Sequence, residues 1–135
     1  MAHIVKNLLV TKKNHSLTTE EIERRKIREA GKIQRKHLTA AIQPFEQREH
    51  PHNPSLYYAL PTKFIQTELC DIPVGGRDLA KGTQLALLSL LEEAGSNVFK
   101  RANAKGQIFN QAYRDVRETA RFLKRVFEGE VPKLD

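Results

Sequence analysis

Apolar residues recur at helical spacing between residues 20 and 42. One half of the helical wheel holds Ile22, Ile27, Ala30, Ile33, Leu38, Ala41 and Ile42. This amphipathic pattern predicts a helix whose apolar face packs on a core. Thr18, followed three residues later by Glu21, has the form of a capping box and marks the start of the helix. Pro44 lacks an N–H and restricts the residue before it, so we expect the helix, over residues 19–42, to end there.

The stretch over residues 78–94 is apolar on nearly every side. A helix of this kind lies in the middle of a core, and we expect Asp78 to cap it and Gly95 to end it. A short helical piece should follow at residues 98–102. A helix-turn-helix across residues 87–104 fits poorly, because its second helix would have only about two turns. We expect an ordinary helix corner instead.

The most regular helical pattern covers residues 107–128 and ends at Gly129 and Pro132. Its apolar stripe consists of Ile108, Phe109, Ala112, Tyr113, Val116, Ala120, Leu123, Val126 and Phe127. This helix should pack on the central one. The core residues that we expect in a single cluster are Leu85, Leu88, Leu91, Val116, Leu123 and Phe127.

Residues 44–78 differ in kind, because five of the six prolines lie there. Two short apolar pieces, residues 56–60 and 64–70, fit either strands of a hairpin or single helical turns, and periodicity does not choose between them. The fold predicted is therefore all-α: a compact helical bundle with a central apolar helix, two long amphipathic helices and a proline-rich connection. We expect an N-terminal arm over residues 1–17, which need not be rigid, and one domain over residues 18–135.

Composition narrows the class of protein further. The chain is 39% hydrophobic, which excludes disorder of the whole chain, and it holds no apolar run of membrane-spanning length. Its start lacks the apolar stretch of a signal peptide. The single cysteine, Cys70, cannot form an internal disulfide and points to a reducing compartment. A cytoplasmic protein that does not associate with membranes is expected.

Charge is the main indication of a partner. The net charge is +7 and the pI is about 9.7, a balance typical of proteins that bind phosphates or acidic surfaces. Arginines dominate the polar faces of both long helices, and arginine pairs with phosphate in a bidentate manner. The sequence predicts a nucleic-acid-binding protein with an accessory or regulatory role. The predicted phosphate contacts are Arg24, Arg28, Lys32, Arg35, Arg114, Arg117, Arg121 and Lys124.

The type of nucleic acid, any sequence preference and the oligomeric state stay open. Tyr57, Tyr58 and Phe64 are candidates for base stacking or partner contact if the proline-rich segment is exposed. The alternative is a protein-interaction module, such as an adaptor, inhibitor or complex subunit. Its arginine-rich surface would dock on an acidic partner protein, with residues 44–78 as the recognition element.

Enzymatic activity is not expected. The chain has no nucleophile elbow, and its adjacent carboxylate pairs splay around their helices. His50 and His52 near Glu46 and Glu49 are explained by an exposed loop without a metal. The Gly75-Gly76 turn lacks the ending of a phosphate-binding P-loop, and phosphate contact through Arg77 is only a minor alternative there. We therefore expect no catalytic residues, no metal and no cofactor.

Overall fold

A computed structural model describes residues 18–129, with side chains at all of them except residues 27, 30 and 31. The first helix, α1, spans Thr19–Glu49. The second, α2, spans Pro54–Lys63 and widens into π-helical turns over Phe64–Leu69. A 3-10 turn at Arg77–Leu79 leads into α3, Gly82–Ala104, and α4 spans Phe109–Phe127. The all-α prediction is confirmed. The predicted arm at residues 1–17 lies outside the described residues.

The elements form an up-down-up-down bundle. The Ser96 hydroxyl donates to the His37 carbonyl (3.3 Å) and Phe45 packs edge-on against Phe99, so α1 and α3 run in the same direction. The π-helical segment and α4 run in the opposite direction. Both α1 and α4 pack mainly on α3, and only a few of their residues meet each other. At Gly95 of α3 the nearest side chains come from α1, the π-helical segment and α4, so the four elements share one central layer.

The core consists of two apolar clusters rather than the single one predicted. One lies between the first half of α3, the π-helical segment and the second half of α4, and it contains Leu85, Leu88 and Leu91. The other joins the ends of α1 and α3 to the start of α4, and it contains Val116. Leu123 is partly buried against the first cluster. The assignment of Phe127 to the core is wrong, because its side chain lies at the end of α4 and is 44% exposed.

Helix α1 does not end before Pro44 as predicted. It continues for seven residues past Ile42, to Glu49, with Pro44 inside it. A proline in a helix interior costs about 3 kcal/mol, and the extension buries Phe45 completely against Phe99 and Phe109. Burial of one such side chain contributes about 1.5–3 kcal/mol. The aromatic contact therefore offsets most of the cost of the proline.

Only part of the predicted apolar face of α1 is buried in the bundle. Thr18 and Glu21 form the predicted capping box, and Leu38, Ala41 and Ile42 are buried as expected. Ile22 and Ile33, which were expected on the buried face, are 41% and 53% exposed. The bundle covers the second half of α1 more fully than the first. The side chains of Ile27 and Ala30, predicted on the same face, lie outside the description.

Helix α3 also differs from the prediction at both ends. It begins at Gly82 rather than Asp78, whose side chain lies in the preceding 3-10 turn. It continues through Gly95 to Ala104, so neither a helix-turn-helix nor a helix corner exists there. Gly95 lies inside this continuous helix, where side chains of three other elements pack against it. Within the connection at 44–78, the two short apolar pieces lie in the helical segments Pro54–Lys63 and Phe64–Leu69, so the hairpin alternative is wrong. No helix within residues 18–129 is both long and apolar enough to cross a membrane.

Candidate functional site

Two of the predicted cations on α1, Arg24 and Arg28, contact the 3-10 turn that precedes α3. The Arg24 guanidinium donates to the Asp78 carbonyl oxygen (2.7 Å), and Arg28 forms an ion pair with the Asp78 carboxylate. Lys32 pairs with Glu29 on the surface (3.4 Å), an exposed contact worth little. Arg24 and Arg28 thus tie the first half of α1 to the 3-10 turn. Phosphate would have to compete with these contacts.

Arg35 belongs to a partly buried polar cluster, which we call the arginine cluster: Arg35, Gln66, Arg77 and Glu92. Arg35 Nη2 and Arg77 Nε both donate to Gln66 Oε1, at 3.1 and 2.9 Å. Gln66 Nε2 in turn donates to the Pro73 carbonyl oxygen (3.1 Å). Both polar ends of this buried amide are therefore engaged, and the two arginines are held side by side.

Within the arginine cluster, Glu92 lies beneath the two arginines and has no exposed surface. Its carboxylate oxygens are 3.4 Å from Arg77 Nη2 and 3.9 Å from Arg35 Nε. Arg35 Nε and Glu92 Oε2 have no hydrogen-bond partner among the described residues. Charge-assisted hydrogen bonds are normally about 2.7–2.9 Å long, so this one carboxylate holds two guanidinium groups loosely.

The pKa values of the arginine cluster reflect this crowding. Burial raises the pKa of Glu92, while Arg77 and Arg35 act against that rise. Burial also lowers the pKa of Arg35, and the nearby charge of Arg77 lowers it further, more than Glu92 restores it. Two adjacent cations thus share one buried anion. The cluster carries an excess of positive charge beside the solvent.

A cleft of about 260 Å³, the arginine cleft, opens on this cluster. Its lining includes Arg35, Lys63, Gln66, Arg77 and Asp78. Val74 and Gly75 form part of its outer wall. A second hollow of about 190 Å³ lies on the other side of Arg35 and Arg77 and includes Arg28 and Lys32. The two guanidinium groups therefore separate two cavities with cationic walls.

The predicted cations on α4 lie on a different surface. Between α4 and the π-helical segment runs a groove of about 340 Å³, the α4 groove, lined by Lys63, Thr67, Arg117 and Arg121, with Glu68 as its acidic residue. The Arg117 guanidinium lies 4.6 Å from the centre of the Tyr113 ring, and that of Arg121 lies 5.1 Å from the centre of the Phe64 ring. Such cation–π contacts hold both arginines at the wall of the groove.

The other two predicted cations of α4 have acidic neighbours. Arg114 lies 3.8 Å from Asp115, and Lys124 lies 3.6 Å from Glu128. Lys124 and Arg121 also line a shallow hollow that continues past the α4 groove toward the end of the helix. Arg117 and Arg121, by contrast, form no ion pair with any residue in 18–129.

The two sets of predicted cations do not merge directly, because α1 and α4 pack mainly on α3. They flank the segment that ends α2 and continues into the π-helical turns. Lys63 and Thr67 line both the arginine cleft and the α4 groove. The sequence analysis did not predict Lys63, Gln66 or Glu92 as site residues, and it gave phosphate contact through Arg77 only as a minor alternative. Of the three residues not predicted, Glu92 alone carried a signal, as an acidic residue within a helix predicted to be apolar all round.

The three aromatic candidates are used inside the bundle. The Tyr57 ring stacks on Phe109, with centroids 3.9 Å apart, and Phe64 is buried beside Tyr113. The Tyr57 and Tyr58 hydroxyls donate to Glu49 and Glu46. Burial and these hydrogen bonds raise the pKa of each tyrosine to about 12. Their rings are not presented for stacking with a base.

Glu49 has a second role, since its carboxylate accepts a hydrogen bond from the Phe109 backbone N–H at the start of α4 (2.8 Å). It satisfies a donor that the helix itself leaves open. Cys70 is buried, and burial raises the pKa of its thiol to about 12. A thiol with so high a pKa is a poor nucleophile.

Comparison with protein-family models, curated proteins and solved structures gave no match for this chain.

Proposed function

We propose that this protein binds nucleic acid through the α4 groove, as a non-enzymatic accessory or regulatory factor of the cytoplasm. The observation that carries the proposal is the position of Arg117 and Arg121. They lie one helical turn apart on the same wall of a groove whose opposite wall supplies Lys63. Regularly spaced cations along a groove suit the repeating charges of a phosphate backbone.

The state of these arginines supports the same proposal. Their guanidinium groups lie over aromatic rings rather than against carboxylates. Arg117 Nε is buried without a hydrogen-bond partner among the described residues, so it is the other N–H donors of the two groups that stay available for an anion. Arg24, Arg28 and Arg35 differ, because each is engaged with groups of the 3-10 turn or of the arginine cluster. We therefore assign nucleic-acid binding to Arg117, Arg121 and Lys63, and a structural role to Arg24 and Arg28, which hold α1 to the 3-10 turn.

The test is the salt dependence of binding to duplex DNA, single-stranded DNA and RNA of equal length. Reversal of both groove arginines (Arg117→Glu with Arg121→Glu) should weaken binding strongly. It should also lower the slope of log K against log salt by about 2, because each lost phosphate contact removes about 0.9 on duplex DNA. The fold should persist, since a cation–π contact at an exposed site contributes only about 0.5–1 kcal/mol.

The matched control reverses Lys100 and Arg101, which are exposed on α3. The control changes the net charge by the same amount, but its two residues do not line the α4 groove. We therefore expect nearly the same salt slope as in the wild-type protein. An equal loss in both double variants would mean that total charge, rather than the groove, governs binding. A wild-type protein with no retention on nucleic acid at about 50 mM salt, where non-specific electrostatic binding is strong, would overturn the proposal.

An acidic protein partner is the second candidate function. One observation favours it: Phe122 and Val126 are 46% and 49% exposed, one turn apart on α4, beside Arg125. An apolar pair next to a cation suits the centre of a protein interface better than a phosphate backbone. Replacement of both residues by alanine should then weaken the partner complex and leave nucleic-acid binding unchanged, which a binding assay with each ligand would measure.

A further inference from the structure

We propose that the arginine cleft binds a phosphate monoester group through Arg35, Arg77 and Lys63. The three cations come from separate parts of the chain: α1, the 3-10 turn and the end of α2. They converge on one cleft of about 260 Å³. This site shares Lys63 and Thr67 with the α4 groove, while Arg35 and Arg77 line the arginine cleft and not that groove. Because the two arginines carry the argument, the inference does not depend on the proposed function.

The first step of the argument is that the two arginines are held in place before any ligand arrives. Both donate to the same oxygen of Gln66, which is itself fixed to the Pro73 carbonyl. Groups that are already ordered lose little conformational entropy on binding. Arg35 is 43% exposed and Arg77 is 21% exposed, so part of each side chain remains open to a ligand.

The second step concerns charge. Arg35, Arg77 and Lys63 face the cleft together with one acidic residue, Asp78, whose carboxylate is drawn to Arg28. The carboxylate of Glu92 lies beneath the two arginines and is shared between them. A second anion, bound from the solvent side, would therefore relieve the repulsion between two adjacent guanidinium groups.

The third step identifies the chemistry of that anion. Guanidinium groups offer paired N–H donors that match the oxygens of a phosphate. A monoester carries about −1.5 to −2 charges at neutral pH, which suits three cations better than the single charge of a carboxylate or a phosphodiester. The cleft volume lies at the lower limit for small-molecule sites, about 300 Å³. It therefore admits a phosphate with a small organic group attached.

The test is calorimetric titration of the full chain with glycerol 3-phosphate at constant ionic strength, with glycerol as the uncharged comparison. We expect saturable binding of one glycerol 3-phosphate per chain and no binding of glycerol.

Arg77→Gln should weaken binding of glycerol 3-phosphate at least about tenfold, which is a change of 1.4 kcal/mol. Lys63→Gln should weaken it as well, and it serves as the second variant if Arg77→Gln does not fold. Lys100→Gln, on an exposed part of α3, is the matched control and should bind like the wild type.

The source of the phosphate is tested with single-stranded oligonucleotides that carry a 5′-phosphate or a 5′-hydroxyl. If the terminal phosphate improves affinity and Arg77→Gln removes that gain, the monoester belongs to a nucleic-acid end. If glycerol 3-phosphate binds saturably and the two oligonucleotides bind equally, the ligand is a free small molecule. The inference is overturned if neither probe detects the phosphate, or if Lys100→Gln loses as much affinity as Arg77→Gln. Loss of nucleic-acid binding on reversal of Arg117 and Arg121 would bear on the α4 groove alone.

Discussion

Gly95 occupies the layer in which α1, the π-helical segment, α3 and α4 all meet. A Cβ atom at this position would lie 3.4 Å from Val116 Cγ1, 3.5 Å from Leu38 Cδ1 and 3.7 Å from Ile65 Cδ1. These are ordinary van der Waals separations, so one methyl group fits and completes the packing. Any larger side chain would displace its neighbours, because a close-packed interior has no spare volume.

Gly95→Ala should stabilise the protein by about 0.5–1 kcal/mol, since alanine is the better helix former and its methyl group meets no clash. Gly95→Val should destabilise it by about 1–3 kcal/mol through overpacking. Urea unfolding of both variants measures the two effects. A destabilised alanine variant would mean that the three neighbouring side chains cannot accept a methyl group.

Two partly buried tyrosines, Tyr57 and Tyr58, make stability depend on alkaline pH. Tyrosine in the unfolded chain ionises near pH 10, whereas in the folded protein the pKa of Tyr57 and Tyr58 is about 12. Between these values the unfolded state holds fewer protons, so stability present below pH 10 is lost as the pH rises toward 12. The Cys70 thiol, whose pKa is also raised to about 12, contributes in the same direction.

The double variant Tyr57→Phe, Tyr58→Phe should therefore lose stability less steeply than the wild type between pH 10 and 12. Thermal unfolding at a series of pH values measures the two slopes, and measurements at pH 7–9 provide the baseline for the loss of the two hydrogen bonds. Equal slopes in the two proteins would show that Glu49 and Glu46 do not hold these hydroxyls in solution.

At the scale of elements, α1 has two halves that are held differently. The second half buries Leu38, Ala41, Ile42 and Phe45 in the bundle. The first half is tied to the 3-10 turn by Arg24 and Arg28 and leaves Ile33 exposed. Exposed ion pairs contribute little, so the stability of this helix comes mainly from its second half.

Leu38→Ala should consequently cost about 2–5 kcal/mol, the usual range for a packed leucine. Ile33→Asp should change the free energy of unfolding by less than about 0.5 kcal/mol, as surface substitutions generally do. Chemical denaturation of the two variants provides the comparison. A large loss in Ile33→Asp would place Ile33 in an interface, for example with a second copy of the chain.

For the whole molecule, the contact between α3 and α4 joins the two apolar clusters. Tyr113 packs against both of them. The phenylalanine rings of α1, α3 and α4 meet at one end of the bundle, and the leucines of α3 fill the other. Because the helices that span both clusters are continuous, we expect the described part of the chain to unfold as one cooperative unit.

Leu88→Ala, in the leucine-rich cluster, should cost about 2–5 kcal/mol and lower the stability of both clusters together. Phe127→Ala is the matched comparison at the exposed end of α4, and its cost should stay below about 1 kcal/mol because little surface leaves water there. Unfolding followed by tyrosine fluorescence and by circular dichroism should give one midpoint for each variant. Two separate midpoints for Leu88→Ala would show that the clusters unfold independently.

The local pattern of the sequence was sufficient for several features. Helical periodicity located α1, α3 and α4, and the capping box located the start of α1 at its observed residue. These features depend on neighbouring residues only, as a helix repeats every 3.6 residues and a cap acts within one turn. The cationic character of both long helices could also be predicted from the sequence, because the charge of a side chain depends on the residue type alone.

Only the tertiary structure decided the features that depend on distant contacts. Pro44 lies inside α1 because Phe45 is buried against rings of α3 and α4. Gly95 does not end α3, and side chains of three other elements pack against the helix at that position. The arginine cluster joins residues 35, 66, 77 and 92, which no local spacing relates. The same holds for the α4 groove, whose walls meet across about fifty residues of chain. The sequence by itself determined where three helices lie and which residues carry charge, while packing determined where those helices end, which charges are engaged inside the bundle and which still face a ligand.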